Sequence, residues 1–219
     1  MKKFEQELAD LRRKVVDMGG IAQTMIGDAV RALVERESSH VKKVFAAEDE
    51  LDRFQVKIDD AAVRLITVYA PVAADLRFLL MVARINTELE RMGDQAVNMC
   101  EYVELLLAEP ELKPLVDLPR MAELAGGMVD NALQAFLARD ANKAKETLAM
   151  DDVVDALNDQ IFRELLTYAM GSPQNLTRCM ALILVARSLE RIADHATNVC
   201  EEVVYMVKGE DIRHRPEHS

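Results

Sequence analysis

ERMGDQAVNMCE, at Glu90–Glu101, returns as ERIADHATNVCE at Glu190–Glu201. Glu, Arg, Asp, Ala, Asn, Cys and Glu keep their places in both copies, one hundred residues apart. An echo at a fixed period marks one structural unit used twice. Working outward, Met25–Glu37 (MIGDAVRALVERE) aligns with Met128–Asp140 (MVDNALQAFLARD) at an offset of 103, as does Asp49-x-x-Asp52 with Asp152-x-x-Asp155. Pro71 and Pro173 punctuate equivalent turns. The offset drops to 100 in the last helix of each half, so the length difference falls mainly near those turns, where chains tolerate it.

Half of the 219 residues are hydrophobic, only 5% are aromatic, and there are 12 Met and no Trp. That is the composition of packed helices. All six prolines fall between strongly periodic segments. A helix-interior proline costs about 3 kcal/mol, so its absence from the long segments is itself a helix signal. The pattern predicts helices at about 5–37, 40–69, 74–108, 119–139, 142–170 and 174–208, with Gly19-Gly20 a place where the first could bend. No stretch alternates with period two for long enough to make a strand. The expected fold is all-α: two tandem antiparallel three-helix bundles related by internal duplication, with domains at 1–112 and 113–219. The acidic, Pro-rich stretch Glu109–Pro119 joins them.

The 27 basic and 38 acidic residues leave a net charge of −11, which argues against binding nucleic acid or anionic lipid through bulk charge. Three cysteines without a CxxC spacing suggest reduced thiols inside a cell. The N-terminus lacks the apolar core of a signal peptide, and no run of about 18 apolar residues could span a membrane.

Inside the echo, Glu90, Asp94, Asn98 and Glu101 lie within about 80° of one another on a helix, with Leu89, Met92, Ala96, Met99 and Val103 on the core flank. Glu190, Asp194, Asn198 and Glu201 repeat the set. The second helix of each half adds Glu48/Asp52 and Asp151/Asp155, making four acidic i,i+4 pairs. Like charges at this spacing destabilise a helix by about 0.2–0.5 kcal/mol. Facing ladders repel further unless cations sit between them, and oxygen donors converging from neighbouring helices suit Mg, Mn, Fe or Zn ions. The plain alternative is a metal-free helical scaffold whose acidic faces stay wet. Arg91 and Arg191 are expected to point away from the ladders and form ordinary surface pairs, with Cys100 and Cys200 towards the core and His195 angled off the acidic face. A carboxylate-bridged di-metal enzyme of ferritin-like type is a rival, but it needs a Glu-x-x-His pair on each of two helices. The sole instance is Glu37–His40, at a helix junction. Neither a paired nucleophile and base nor a Gly-rich phosphate loop is evident, so no catalytic residues are assigned.

At these residues the chain resembles the PhoU family of phosphate-uptake regulators. The resemblance rests on Asp49–Asp52, on PVAADLR at Pro71–Arg77 and on LERMGDQAVN at Leu89–Asn98. The second half supplies Asp152–Asp155, a shortened SPQNLTR turn at Ser172–Arg178 and LERIADHATN at Leu189–Asn198, followed by the GEDIRH tail at Gly209–His214. The resemblance covers essentially the whole chain. It implies a non-catalytic cytosolic regulator, peripheral at the inner membrane through its partners, a phosphate-transporter ATPase and a sensor histidine kinase, with homodimerisation also plausible. It also implies multinuclear metal held by Glu48/Asp52, Glu90/Asp94, Asp151/Asp155 and Glu190/Asp194, with Asn98 and Asn198 as neighbours. Two departures stand out. Gln95 takes the place where His is common, and the second half lacks the Asp-Leu-Arg turn.

Overall fold

A computed structural model describes residues 2–213, which contain helices and no strand. The helices are α1 Lys2–Glu35, α2 Ser38–Tyr69, α3 Ala73–Leu107, α4 Asp117–Ala138, α5 Ala141–Leu148, α6 Asp151–Gly171 and α7 Leu176–Lys208. Pro173–Asn175 forms a 3-10 turn before α7. The elements follow the hydrophobic pattern. In α1, for example, Leu8, Leu11, Val15, Met18, Ala22, Met25 and Ala29 form a buried stripe at three- and four-residue steps. Pro216 and His214, used in the sequence reading, lie outside the described residues.

Two expectations change. The single helix expected over 142–170 is broken at Ala149–Met150, where Met150 N donates to Thr147 O and Val153 N to Met150 O. The local sequence holds neither Pro nor Gly to announce a break, and the equivalent residues Ala46 and Ala47 run unbroken inside α2. The break starts α6 at Asp151-Asp152, acids that suit the positive end of a helix. Gly19-Gly20, in turn, lies within an uninterrupted α1. Gly19 is buried, and a Cβ there would lie 2.5 Å from Leu133 Cδ2 of α4, so close helix approach explains the glycine.

The first half packs α1, α2 and α3 on one another, and the second packs α4, α5 and α6 around α7. The most extensive helix contact of all is between α3 and α7, so the two echoed helices lie side by side. One continuous buried cluster runs through both halves. Glu202, buried on α7, is held by Arg84 of α3 at 3.1 Å and by Arg213 of the tail at 3.3 Å.

The shortened second turn keeps an arginine that reaches the other half. Arg77 Nε, from the first turn, donates to Met206 O near the end of α7 (3.2 Å), and Arg178 Nη1, from the second, donates to Pro110 O just past α3 (3.0 Å). Arg77 thus caps α7, satisfying an end carbonyl at the negative end of the helix dipole, whereas Arg178 ties down the linker past α3, whose own end carbonyl, Leu106 O, accepts from Arg36 at 3.0 Å. Arg77→Ala is expected to cost about 1 kcal/mol, a fall in Tm of roughly 2–4 °C. A thermal melt checks this, and an unchanged Tm would remove the capping role.

Candidate functional site

Because α2 packs on α3 and α6 on α7, the carboxylate ladders of each half face one another. Burial pushes the Glu48 carboxyl up, and Asp52, Asp94, Asp49 and Glu101 add to the rise. Glu90 and Asp94 are raised by burial first and then by Asp52 across the helix contact, with Asp94 also acting on Glu90. The second half repeats the geometry, with burial again the leading cause and Asp155 weighing on both Glu190 and Asp194. Asp155 is itself raised by burial, then by Asp152 and Asp159. Asp151 is pushed up to about 6 by burial and by Asp155, Asp194, Asp152 and Glu190. The eight Asp and Glu residues singled out in the sequence therefore come together as two clusters, one per half.

These oxygens stand apart as well as facing. Among the described residues, the group of three donor side chains whose ligating atoms lie within 4.8 Å of one another is Glu35, Glu37 and His40, not a ladder. That trio is tied into the corner between α1 and α2: His40 Nδ1 lies 2.7 Å from buried Asp28, and its Nε2 lies 3.2 Å from Glu35. Burial would raise the Asp28 carboxyl, but hydrogen bonds from Arg31 and His40 hold it below its usual range. The ladders nevertheless fit a cation in one respect. Asp151 Oδ1 and Glu190 Oε2 are buried without a hydrogen bond, and Glu190 has only an ion pair with Arg187 Nε at 3.3 Å. Only the Asp151 oxygen, in the second-half cluster, is left with no partner at all, and an unpaired buried carboxylate oxygen is costly without a cation.

Asn98 and Asn198 leave the ladders. The drift of about 40° per four residues turns them from the acidic face towards the other half. Asn198 Nδ2 donates to Glu88 Oε2 of α3 at 2.9 Å, and His195 Nδ1 sits 2.8 Å from the same oxygen. Arg91 does form a surface pair, with Glu88 on its own helix at 3.4 Å. Burial acts to raise the Glu88 carboxyl, but the hydrogen bonds from His195 and Asn198 and the charges of His195 and Arg91 outweigh it and hold it low. Glu88 is the residue sequence reasoning passed over. It stands two residues before the echo, and its equivalent is Ser188, so the repeat gave no signal for it. Cys100 and Cys200 are buried, as expected, and burial pushes each thiol up to about 12, which keeps them unreactive.

The PhoU domain profile matches this chain twice, over residues 15–103 and 118–203. The chain belongs to the PhoU domain family. Each matched region contains one copy of the echo and the facing acidic pair. The chain is 39% identical over 215 residues to a phosphate-specific transport system accessory protein PhoU homolog of Aquifex aeolicus, covering 98% of this chain and 97% of that one. It is 33% identical over 211 residues to the phosphate-specific transport system accessory protein PhoU of Escherichia coli, covering 96% and 88%. The crystal structure of PhoU from Pseudomonas aeruginosa superposes with a TM-score of 0.91 at 34% identity, covering 94% of this chain and all of that one. The phosphate transport system regulatory protein PhoU from Streptococcus pneumoniae gives 0.87 at 25%, covering 95% and 99%. None of the described helices is long and apolar enough to cross a membrane.

Proposed function

We propose that this chain is an accessory, regulatory component of a phosphate-specific transport system, acting from the cytoplasm by contact with the transporter ATPase and a sensor histidine kinase. The observation that carries the reading is full-length likeness to PhoU relatives described as accessory proteins of that system. The helical scaffold supports binding over catalysis, because the polar groups it gathers are carboxylates facing carboxylates, without a nucleophile beside a base. A strain lacking the protein is expected to express phosphate-starvation genes in phosphate-rich medium. Normal repression there would overturn the assignment.

Within that role, Glu48, Asp52, Glu90 and Asp94 would hold cations between α2 and α3, and Asp151, Asp155, Glu190 and Asp194 between α6 and α7. Bound cations would supply positive charge that cancels the repulsion and clamps each helix pair. The unpartnered oxygen of Asp151 supports this reading in the second half. A pH dependence follows. The folded Asp151 carboxyl titrates near 6, above its unfolded value of 3.8, so metal-free stability rises as pH falls from about 6 towards 4. Cation binding needs the ionised form, so the gain from metal should be largest above pH 6 and fade below it. With metal at about 100 times its Kd, the gain is about 2.7 kcal/mol, roughly 5–10 °C in Tm. Melts with metal and with chelator at pH 7.5 and pH 5 read this directly. Metal content unchanged in an Asp94→Ala/Asp194→Ala variant would show that the ladders do not hold it, and no metal in the wild type would leave a metal-free scaffold instead.

A further inference from the structure

Besides the acidic faces, α3 and α7 enclose a cleft of about 370 Å³ between them. Its polar lining comprises Gln95, Asn98 and Tyr102 from α3 and Arg187, Ser188 and Arg191 from α7, with no carboxylate among them. The repeat explains what this cleft is. On the opposite side of the same interface, Glu88 is held by Arg91, His195 and Asn198. Exchanging the halves turns Arg91, His195 and Asn198 into Arg191, Gln95 and Asn98, all three of which line the cleft. Glu88 becomes Ser188, which is shorter and uncharged. The cleft is therefore a carboxylate's cradle from which the carboxylate is missing. It also carries a second guanidinium, Arg187, where the other side has Thr87.

The cradle is unsatisfied within the chain. Among the described residues, Gln95, Asn98, Tyr102, Ser188 and Arg191 make no side-chain hydrogen bond, and Arg187 commits only its Nε, to Glu190. Ser188 is 4% exposed as a residue, and its hydroxyl, which makes no hydrogen bond to protein, is not sealed from solvent and is open to the cleft. Two guanidinium groups four residues apart on one helix, with amide and hydroxyl donors opposite, match the demands of an oxyanion. The distant part of the net charge of −11 is screened beyond about 8 Å at physiological salt, while Glu190 and Asp194, which the two arginines face on α7, are the local charges an entering anion must compete with. The volume lies at the small end of ligand pockets, large enough for an oxyanion carried on a small molecule or a side chain.

We propose that the α3–α7 cleft binds a small oxyanion, a phosphate or carboxylate group, through Arg187, Arg191, Ser188, Gln95 and Asn98. This site adjoins the second-half ladder through the Arg187–Glu190 pair, and its existence does not depend on the regulatory role proposed above.

The test is calorimetric titration of the full chain with inorganic phosphate and, separately, with acetate, at constant ionic strength set by chloride. One saturable site per chain is expected for at least one of the two. Binding of phosphate alone identifies a phosphoryl ligand, and binding of both identifies carboxylate as an accepted group; either upholds the site. Arg191→Gln, at an exposed position, should weaken binding at least tenfold without loss of fold. Ser188→Glu should abolish it by supplying internally the carboxylate that Glu88 supplies opposite. If Ser188→Glu does not fold, Asn98→Ala takes its place and should weaken binding severalfold. No saturable binding of either anion would overturn the proposal, as would wild-type affinity in Arg191→Gln together with the second variant.

Discussion

Glu88→Ala should lower the stability of this chain by about 2 kcal/mol and act at the junction between its halves. The Glu88 side chain is 14% exposed and lies against α7, where it meets His195 Nδ1 at 2.8 Å and Asn198 Nδ2 at 2.9 Å. Removing it leaves both partners facing a gap at the most extensive helix contact of the molecule. Breaking a fully buried charged pair costs about 3–5 kcal/mol. The partial exposure of this one, with Arg91 in solvent beside it, brings the figure down. The sign with pH is fixed by the direction of the shift. The folded Glu88 carboxyl lies below its unfolded value of 4.5, so its stabilisation is fully present above that value and is lost as pH falls through the folded one. The gap between wild type and variant in urea melts should therefore be widest near neutral pH and narrow in acid. Combined with His195→Ala, the loss should be clearly less than additive, because the two changes remove one interaction. Strict additivity would show that the pair does not act as a unit.

Gly93→Ala is the second large effect, expected at about 2 kcal/mol even though alanine is the better helix former by about 1 kcal/mol. A Cβ on Gly93 would sit 2.1 Å from Leu51 Cδ2, and Leu51 is 1% exposed, so it has little room to withdraw. The repeat suggests the remedy. The positions equivalent to Gly93 and Leu51 are Ala193 and Val154, one methyl larger and one smaller. Leu51→Val alone should cost about 1 kcal/mol as a small cavity, and the double variant should recover most of the loss. Gly93 also neighbours Asp94 where Leu51 of α2 packs on α3, so prying those helices apart there would spread the first acidic cluster. If the clusters hold cations as proposed, metal bound by the first cluster should fall while that of the second holds. A Gly93→Ala protein as stable as wild type would show that Leu51 can move aside.

The contrast between these residues shows what was legible. The eight ladder acids could be found in the sequence because the repeat sets each pair against a counterpart, whereas the tight packing of Gly93 on Leu51 came from the structure. Facing ladders then follow from helical periodicity once α2 and α3 pack. Glu88 had no such counterpart, and nothing in a lone Glu before an echo says which helix it will meet. The break at Ala149–Met150 was equally silent, since neither residue is a helix breaker and its equivalent in α2 stays helical. The asparagines misled for a related reason. A face read as one strip over eight residues drifts by about 80°, enough to carry Asn98 and Asn198 out of the acidic groove and onto the contact between halves.

The sequence by itself determined the all-helical class, the duplication, the helix faces and the membership of the acidic sets, because each depends on spacing along one chain and on the period of a helix. The tertiary structure decided that α3 and α7 lie side by side and share one core, and that each turn arginine reaches a carbonyl of the other half, Arg77 at the end of α7 and Arg178 in the linker past α3. It also decided that a carboxylate fills one side of the interface while its equivalent side stands open. Those features depend on which residue of one half meets which residue of the other. That pairing is fixed by packing in three dimensions, where the two copies of ERxxDxAxNxCE, nearly the same along the chain, acquire different neighbours.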